Sequence, residues 1–355
     1  MIKYLGSKRR LVPAISALAR AVGTRRALDL FTGTTRVAQA LKRDGAHVTA
    51  VDSATYSHVL AQTYVATDGG SIDPAALAEA LAGLAARRPQ RGYVTTVFCE
   101  QARYFHPDNG ARIDAIRDGI ESYAGSALYP ILLTSLLEAA DRVDSTTGLQ
   151  MAFLKQWAPR ALKPLQLRPP ALISGAGAAV LGDALETARS EGGEFDFVYL
   201  DPPYNQHRYF SNYHVWETLV RWDSPEHYGI ACKRVDCRQA SSHSRFNRRA
   251  SMASALAEVI EAVRAGLLAV SYNDEAWLTL EELTAMCAPR GQIGVLSFDS
   301  KRYVGAQIGI HNPRGVKVGE ISHLRNTEII VLSGAADLVE AALAAGQGEL
   351  DTVAG

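Results

Sequence analysis

The residues of this chain best suited to chemistry are Asp201-Pro202-Pro203-Tyr204. The Asp201 carboxylate and the Pro202 carbonyl can each accept a hydrogen bond from one NH2 group. Proline fixes φ and carries no N–H, so these acceptors are held rigidly and no donor competes for them. Tyr204 can stack on a flat heteroaromatic ring. An exocyclic amine on such a ring is a poor nucleophile, because its lone pair is delocalised. Two acceptors on its protons favour a pyramidal nitrogen and aim the lone pair at an electrophile. The motif follows Phe195 to Leu200, an apolar run that reads as a strand buried in a parallel sheet. A plain strand followed by a Pro-Pro turn would look the same locally, so the other elements must decide.

Elements able to position this loop begin near the N-terminus. Arg26 to Phe31 reads as a strand running into Thr32-Gly33-Thr34-Thr35. An amphipathic helix follows, with Val37, Ala38, Leu41 and Lys42 at helical spacing. His47 to Val51 reads as a second strand, closed by Asp52. This is a βαβ unit with a glycine-containing first turn and an acid at the end of strand two. In nucleoside-binding sheets such an acid accepts hydrogen bonds from ribose hydroxyls. The turn lacks a full Gly-x-Gly-x-x-Gly pattern, so it suits a nucleoside without phosphates.

Set in chain order, Tyr4-Leu5-Gly6-Ser7-Lys8, Asp29-Leu30-Phe31-Thr32-Gly33, Asp52, Gly182-Asp183-Ala184 and Asp201 to Tyr204 form one series. That series resembles the alpha group of S-adenosylmethionine-dependent DNA adenine methyltransferases. Asn205 to Thr218, Ser244 to Arg248, Ser271 to Glu275 and Arg302 to Thr327 are similar to the same family. The likeness covers most of Met1 to Ser333. It implies S-adenosyl-L-methionine as cofactor and the N6 amine of a flipped-out adenine in a specific double-stranded DNA sequence as target. It also implies a solitary methylase or one paired with a restriction endonuclease.

The resemblance assigns roles position by position. Tyr4, Gly6 and Lys8 match the N-terminal cofactor motif, where the lysine neutralises the methionine carboxylate. Asp29, Phe31, Gly33 and Thr34 match the turn under the cofactor, and Asp52 the acid on the ribose. Asp183, with Ala184, matches the residue that reads the cofactor's adenine amine. Asp201, Pro202, Pro203 and Tyr204 match the catalytic loop. The family often has a second glycine where Thr35 stands, and negative φ is expected there because non-glycine residues seldom adopt φ > 0. Two other readings stay open. The same chemistry could act on RNA or a protein amide, although Asp rather than Asn at position 201 argues against the amide. The chain could also be a DNA-binding module without catalysis.

Lys and Arg number 37, as do Asp and Glu, for a net charge of +0. A nucleic-acid enzyme needs a basic face rather than a basic total. Candidates for that face are Lys155, Arg160 and Lys163 around Trp157, then Arg208 and Asn212, then Arg245, Arg248 and Arg249 around Phe246. Lys301, Arg302, Arg314, Lys317 and Arg325 complete the set. Such groups position a backbone rather than read a sequence. No apolar run is long enough to cross a membrane. Motif residues from Tyr4 onward leave no room for a removable leader on this reading. Four cysteines without a dense framework fit a reducing compartment, so the expected location is the cytoplasm, on the nucleoid when DNA is bound. His227, Cys232, Cys237 and His243 match no standard zinc spacing, and no metal is expected.

The expected fold is α/β. It is a Rossmann-like class I methyltransferase sheet, mostly parallel with an antiparallel strand at the edge, plus an inserted, mainly helical target-recognition module. Residues 1–65 and 175–334 are expected to form the catalytic domain, 66–174 the insertion, and 335–355 a short helix and tail. The insertion is too long for a loop. Helices are expected over Asp73–Arg88, Ala111–Tyr123 and Ile131–Val143, and again over Met252–Ala265. Leu267–Tyr272, Ile293–Phe298 and Glu328–Leu332 read as strands, the last two an antiparallel pair. Recognition by the insertion is carried over from the family.

Overall fold

The computed structural model describes every residue except 1, 7, 191–192, 204–208, 240–241, 274–275, 302–324 and 355. The strands are β1 (Arg26–Leu30), β2 (His47–Asp52), β3 (Ala178–Leu181), β4 (Phe195–Leu200), β5 (His227–Tyr228), β6 (Lys233–Arg234), β7 (Ala265–Asn273), β8 (Gln292–Lys301) and β9 (Arg325–Gly334). Seven of them form one sheet in the order β3-β2-β1-β4-β7-β9-β8, while β5 and β6 make a separate hairpin. The pairings from β3 across to β7 are parallel, and β9 runs antiparallel to both β7 and β8. The expected class I sheet is therefore present. Its antiparallel element is a ten-residue pairing of β8 with β9, longer than the apolar runs alone suggested.

Strand order reverses between β1 and β4. A crevice opens at such a switch point, outside the carboxyl ends of the strands. Leu30 lies opposite Leu200, so the turn after β1 and the loop after β4 leave the sheet side by side.

Side chains alternate across the sheet, as the two-residue period of a strand requires. Leu28, Leu30, Val198, Leu200 and Val270 pack on one face, with the helix Arg249–Ala262. Ala27, Val48, Phe197, Tyr199 and Leu267 pack on the other. That second core continues without a break into the insertion, through Leu81, Phe98, Ile116, Ile131, Leu132 and Leu136.

Three helices of the insertion fall close to expectation, at Pro74–Ala85, Pro107–Ile120 and Leu128–Arg142. Asp73 caps the first by accepting from Ala75 N–H at 2.9 Å. The helix Leu128–Arg142 is buried on nearly all sides from Ile131 to Asp141. A π-helical segment, Val94–Gln101, was not legible from spacing. The C-terminus departs from the expected short helix and tail, because a helix runs over Ala336–Ala354. Val339 and Ala342 are buried, and Val339 and Leu343 lie so close to Gly294 of β8 that a Cβ there would meet Val339 at 2.9 Å. Past Ala345 the helix stays packed, with Gly346 lying against Leu296 of β8 and Leu18 of the helix Val12–Ala21. Among the described residues no helix is long and apolar enough to cross a membrane.

Candidate active site

One pocket lies at the switch point between β1 and β4. Its walls are Tyr4, Gly6 and Lys8 from the N-terminal segment, and Asp29, Phe31, Thr32, Gly33 and Thr34 from the end of β1 and its turn. Arg36 and Val37 come from the following helix, Tyr199 and Asp201 from β4 and its loop. Eight of the sequence-predicted residues thus converge, with Arg36 and Tyr199 as unpredicted neighbours.

The turn after β1 is a run of unusual backbone. Phe31, Gly33 and Thr35 have φ of 68°, 52° and 62°. The negative φ expected at Thr35 is therefore corrected. Thr35 is fully buried and held in place: its N–H donates to the Thr32 carbonyl at 2.7 Å, and its Oγ1 to the Thr34 carbonyl at 2.7 Å. Gln39 Nε2 donates back to Thr35 Oγ1 at 2.9 Å. These bonds offset the cost of a left-handed residue, about 1 kcal/mol. Glycine is required two residues earlier, because a Cβ on Gly33 would sit 2.9 Å from the Tyr4 ring. Tyr4 stacks in turn on Tyr213 and Tyr209, with centroids 4.7 and 5.3 Å away.

Acids hold this turn from below. Asp52 Oδ2 accepts from Gly33 N–H at 2.8 Å, and its Oδ1 from Ala54 N–H at 2.9 Å. Asp29 Oδ2 accepts from the Thr32 hydroxyl at 2.8 Å and from Ala38 N–H at 3.2 Å. Burial pushes the Asp29 carboxyl up to about 7; the Thr32 bond opposes the shift and the charge of Asp201 adds to it.

At the end of β4, Asp201 Oδ1 lies 3.2 Å from Lys8 Nζ. The same ammonium lies 3.1 Å from Glu328 Oε2. Burial raises the Asp201 carboxyl to about 6; Lys8 lowers it and Glu328 raises it. Pro202 is buried and Pro203 half-buried behind it. Tyr204 lies outside the described residues. Glu328 was missed because it belongs to no motif and stands 320 positions from Lys8.

Other predicted residues stand elsewhere. Asp183 is exposed and caps the helix Ala184–Ser190, accepting from Leu185 N–H at 2.9 Å and Glu186 N–H at 3.2 Å. Asp183 and Ala184 are not among the pocket walls. Phe31 reaches that side of the sheet, edge-on to Phe246 at 4.9 Å.

The proposed DNA contacts divide. Lys155 and Lys163 are exposed. Arg160 is tied down: its Nη2 lies 2.8 Å from Asp144 Oδ1 and donates to the Thr146 carbonyl at 2.5 Å. Asn212 is buried at 3% exposure, which corrects its placement on a basic face; it ends the short helix Tyr209–Asn212, and its carbonyl accepts from Gln150 N–H at 2.8 Å. Arg245 is exposed and chelates Glu258 with both Nη atoms. Lys301 and Arg325 are opposed in register at the ends of β8 and β9. Arg208, Arg302, Arg314 and Lys317 lie outside the described residues.

Comparison with known proteins gives a consistent picture. The family described as D12 class N6 adenine-specific DNA methyltransferase matches residues 4–286. The Type II methyltransferase M.NlaIII of Neisseria lactamica is 27% identical over 339 residues, 91% of this chain and 98% of that protein. The modification methylase StsI of Streptococcus sanguinis is 30% identical over 302 residues, 80% of this chain and 45% of that protein. The Type II methyltransferase M.FokI of Planomicrobium okeanokoites is 28% identical over 281 residues, 74% of this chain and 43% of that protein. This chain spans nearly the whole of the first relative and under half of the other two. A family match that takes in both halves of the parallel sheet and the interval between them shows that the chain belongs to the D12 class N6 adenine-specific DNA methyltransferases.

Proposed function

We propose that the pocket between β1 and β4 binds S-adenosylmethionine and presents it to an adenine flipped out of a specific double-stranded DNA sequence. The observation that carries this reading is the side-by-side exit of the first turn and the Asp201 loop at Leu30 and Leu200. The pocket suits the cofactor: aromatic faces of Tyr4 and Phe31, a turn closed to any Cβ at Gly33, and charged groups at Lys8, Asp29 and Asp201. When bound, S-adenosylmethionine supplies an electrophilic methyl group. Lys8, Tyr4, Gly6, Phe31, Gly33 and Thr34 would hold it. Asp52 keeps the turn in shape through Gly33, and we assign it to the ribose by family likeness, although it is not itself a pocket wall.

Asp201 and the Pro202 carbonyl accept from the two protons of the adenine amine and turn its lone pair toward the methyl group. The base leaves the duplex because its amine cannot reach a recessed pocket while stacked, at a cost of a few kcal/mol. Stacking on Tyr204 would offset part of that cost. As N6 becomes bonded to carbon its proton turns acidic, and Asp201 stands where that proton leaves. Positioning and electrostatics carry most of the rate.

We place sequence recognition in residues 66–174, with Lys155 and Lys163 toward DNA. The enzyme works in the cytoplasm, and its relatives' names favour a partner restriction endonuclease. The test is product analysis. Incubation with methyl-labelled S-adenosylmethionine and duplex DNA, followed by digestion to nucleosides, should place the label on N6-methyladenine. Label on cytosine, or better methylation of single strands than of duplex, would contradict the reading.

A further inference from the structure

Glu328 belongs to no motif, yet it stands in the charge network of the catalytic carboxylate. It lies on β9, opposite Asn273 of β7 and Phe298 of β8. Its Oε2 is 3.1 Å from Lys8 Nζ, and that nitrogen is 3.2 Å from Asp201 Oδ1. Only 6% of the Lys8 side chain is exposed, against 20% for Asp201 and 17% for Glu328. Salt screens such contacts little. Three distant segments of the chain meet on one ammonium.

We propose that Glu328 is a positioning residue for methyl transfer: it fixes the Lys8 ammonium and, through it, the direction and charge of the Asp201 carboxylate. The inference rests on Asp201 as acceptor of the amine protons. A lysine head is a point charge on a flexible stem and has no preferred direction of its own. Drawn wholly onto Asp201, it would compete with the adenine amine for the same oxygens. Shared with Glu328, it holds Asp201 at one oxygen and leaves the carboxylate able to accept. The three charges sum to a single negative charge, which suits a step in which N6 gains positive charge.

The groups facing Asp201 are Lys8 from the N-terminal turn, Glu328 from β9, Asp29 from β1 and Tyr199 from β4. Glu328 raises the proton affinity of Asp201, so removing its charge lowers it.

The test uses the full chain with S-adenosylmethionine and duplex DNA, and compares wild type, Glu328→Gln, Glu328→Asp and Asp201→Ala across pH. Glu328→Gln should lower kcat about tenfold and move its acid limb to lower pH, whatever smaller change Lys8 passes to KM for S-adenosylmethionine. Glu328→Asp keeps the charge on a shorter stem, so its limb should return to the wild-type position while kcat stays reduced. An unmoved limb with normal kcat in Glu328→Gln overturns the proposal. A raised KM with unchanged kcat also overturns it, by assigning Glu328 to cofactor binding. Should Glu328→Gln fail to fold, Glu328→Asp decides alone: reduced kcat supports the proposal and wild-type kcat overturns it. A fully active Asp201→Ala would instead overturn the reading of the pocket. A dead Asp201→Ala beside a normal Glu328→Gln would overturn only the role of Glu328.

Discussion

Buried charge is arranged differently around the pocket and in the insertion. In the insertion it secures backbone. Asp114 accepts from the N–H groups of Gly92, Val94 and Thr95 and from the Thr95 hydroxyl, all within 2.9 Å. Arg117, at 1% exposure, donates to the carbonyls of Leu219 and Val220. In the pocket, Lys8 joins the side chains of Asp201 and Glu328 from distant parts of the chain, two carboxyls on one ammonium. The first arrangement holds a fold together. The second leaves negative charge where a cationic methyl donor and a reacting amine would meet. Changes in the insertion should therefore be read as stability, and changes in the pocket as rate and pH dependence.

The largest effect should come from Asp114→Ala. It strands the buried N–H groups of Val94 and Thr95 and the half-buried one of Gly92, and should lower unfolding free energy by about 4 kcal/mol. Thermal unfolding close to wild type would show that Asp114 does not hold the fold together. Asp29→Asn should act through pH. In the folded chain the Asp29 carboxyl titrates near 7 instead of 3.8, so between about pH 4 and 7 the folded state keeps a proton that the unfolded state has lost. Wild-type stability should fall as pH rises through that window. Asp29→Asn should flatten the fall by on the order of 2–3 kcal/mol, as read by denaturant titration at pH 4.5 and 7.5. An unchanged slope would show that Asp29 ionises normally.

Smaller effects separate architecture from DNA contact within the insertion. Arg160→Ala should cost about 1 kcal/mol of stability, because its ion pair is partly exposed, and should leave the salt dependence of DNA binding alone. Neutralising Lys155 and Lys163 together should leave stability intact and flatten the salt slope by about two if both touch phosphate. Changes at other positions between Lys155 and Lys163 should instead shift the preferred sequence on a random library, and an unchanged preference would move recognition out of this interval.

What could be read beforehand follows from how local each signal is. The loop at Asp201 and the turn at Gly33 were legible because each is a short motif at the end of a buried strand. Their convergence followed from parallel strands alone. Thr35 was misjudged because its conformation is fixed by Gln39 and by burial, which residue type does not reveal. Asp183 was assigned to the cofactor by family likeness, while its carboxylate serves the helix that begins at Ala184. Asn212 looked like a polar surface group until packing enclosed it. The C-terminal helix was underestimated because it is held by β8 and by the helix Val12–Ala21, both far earlier in the chain.

Asp201 is the acceptor that prepares the adenine amine on the proposed reading. The most direct test is single-turnover methylation of duplex DNA by wild type and Asp201→Ala, alongside calorimetry of S-adenosylmethionine binding. Loss of about 3 kcal/mol or more in the transition state, roughly a hundredfold or more in rate, is predicted, with cofactor affinity and folding retained. A variant that methylates adenine at close to the wild-type rate would contradict it.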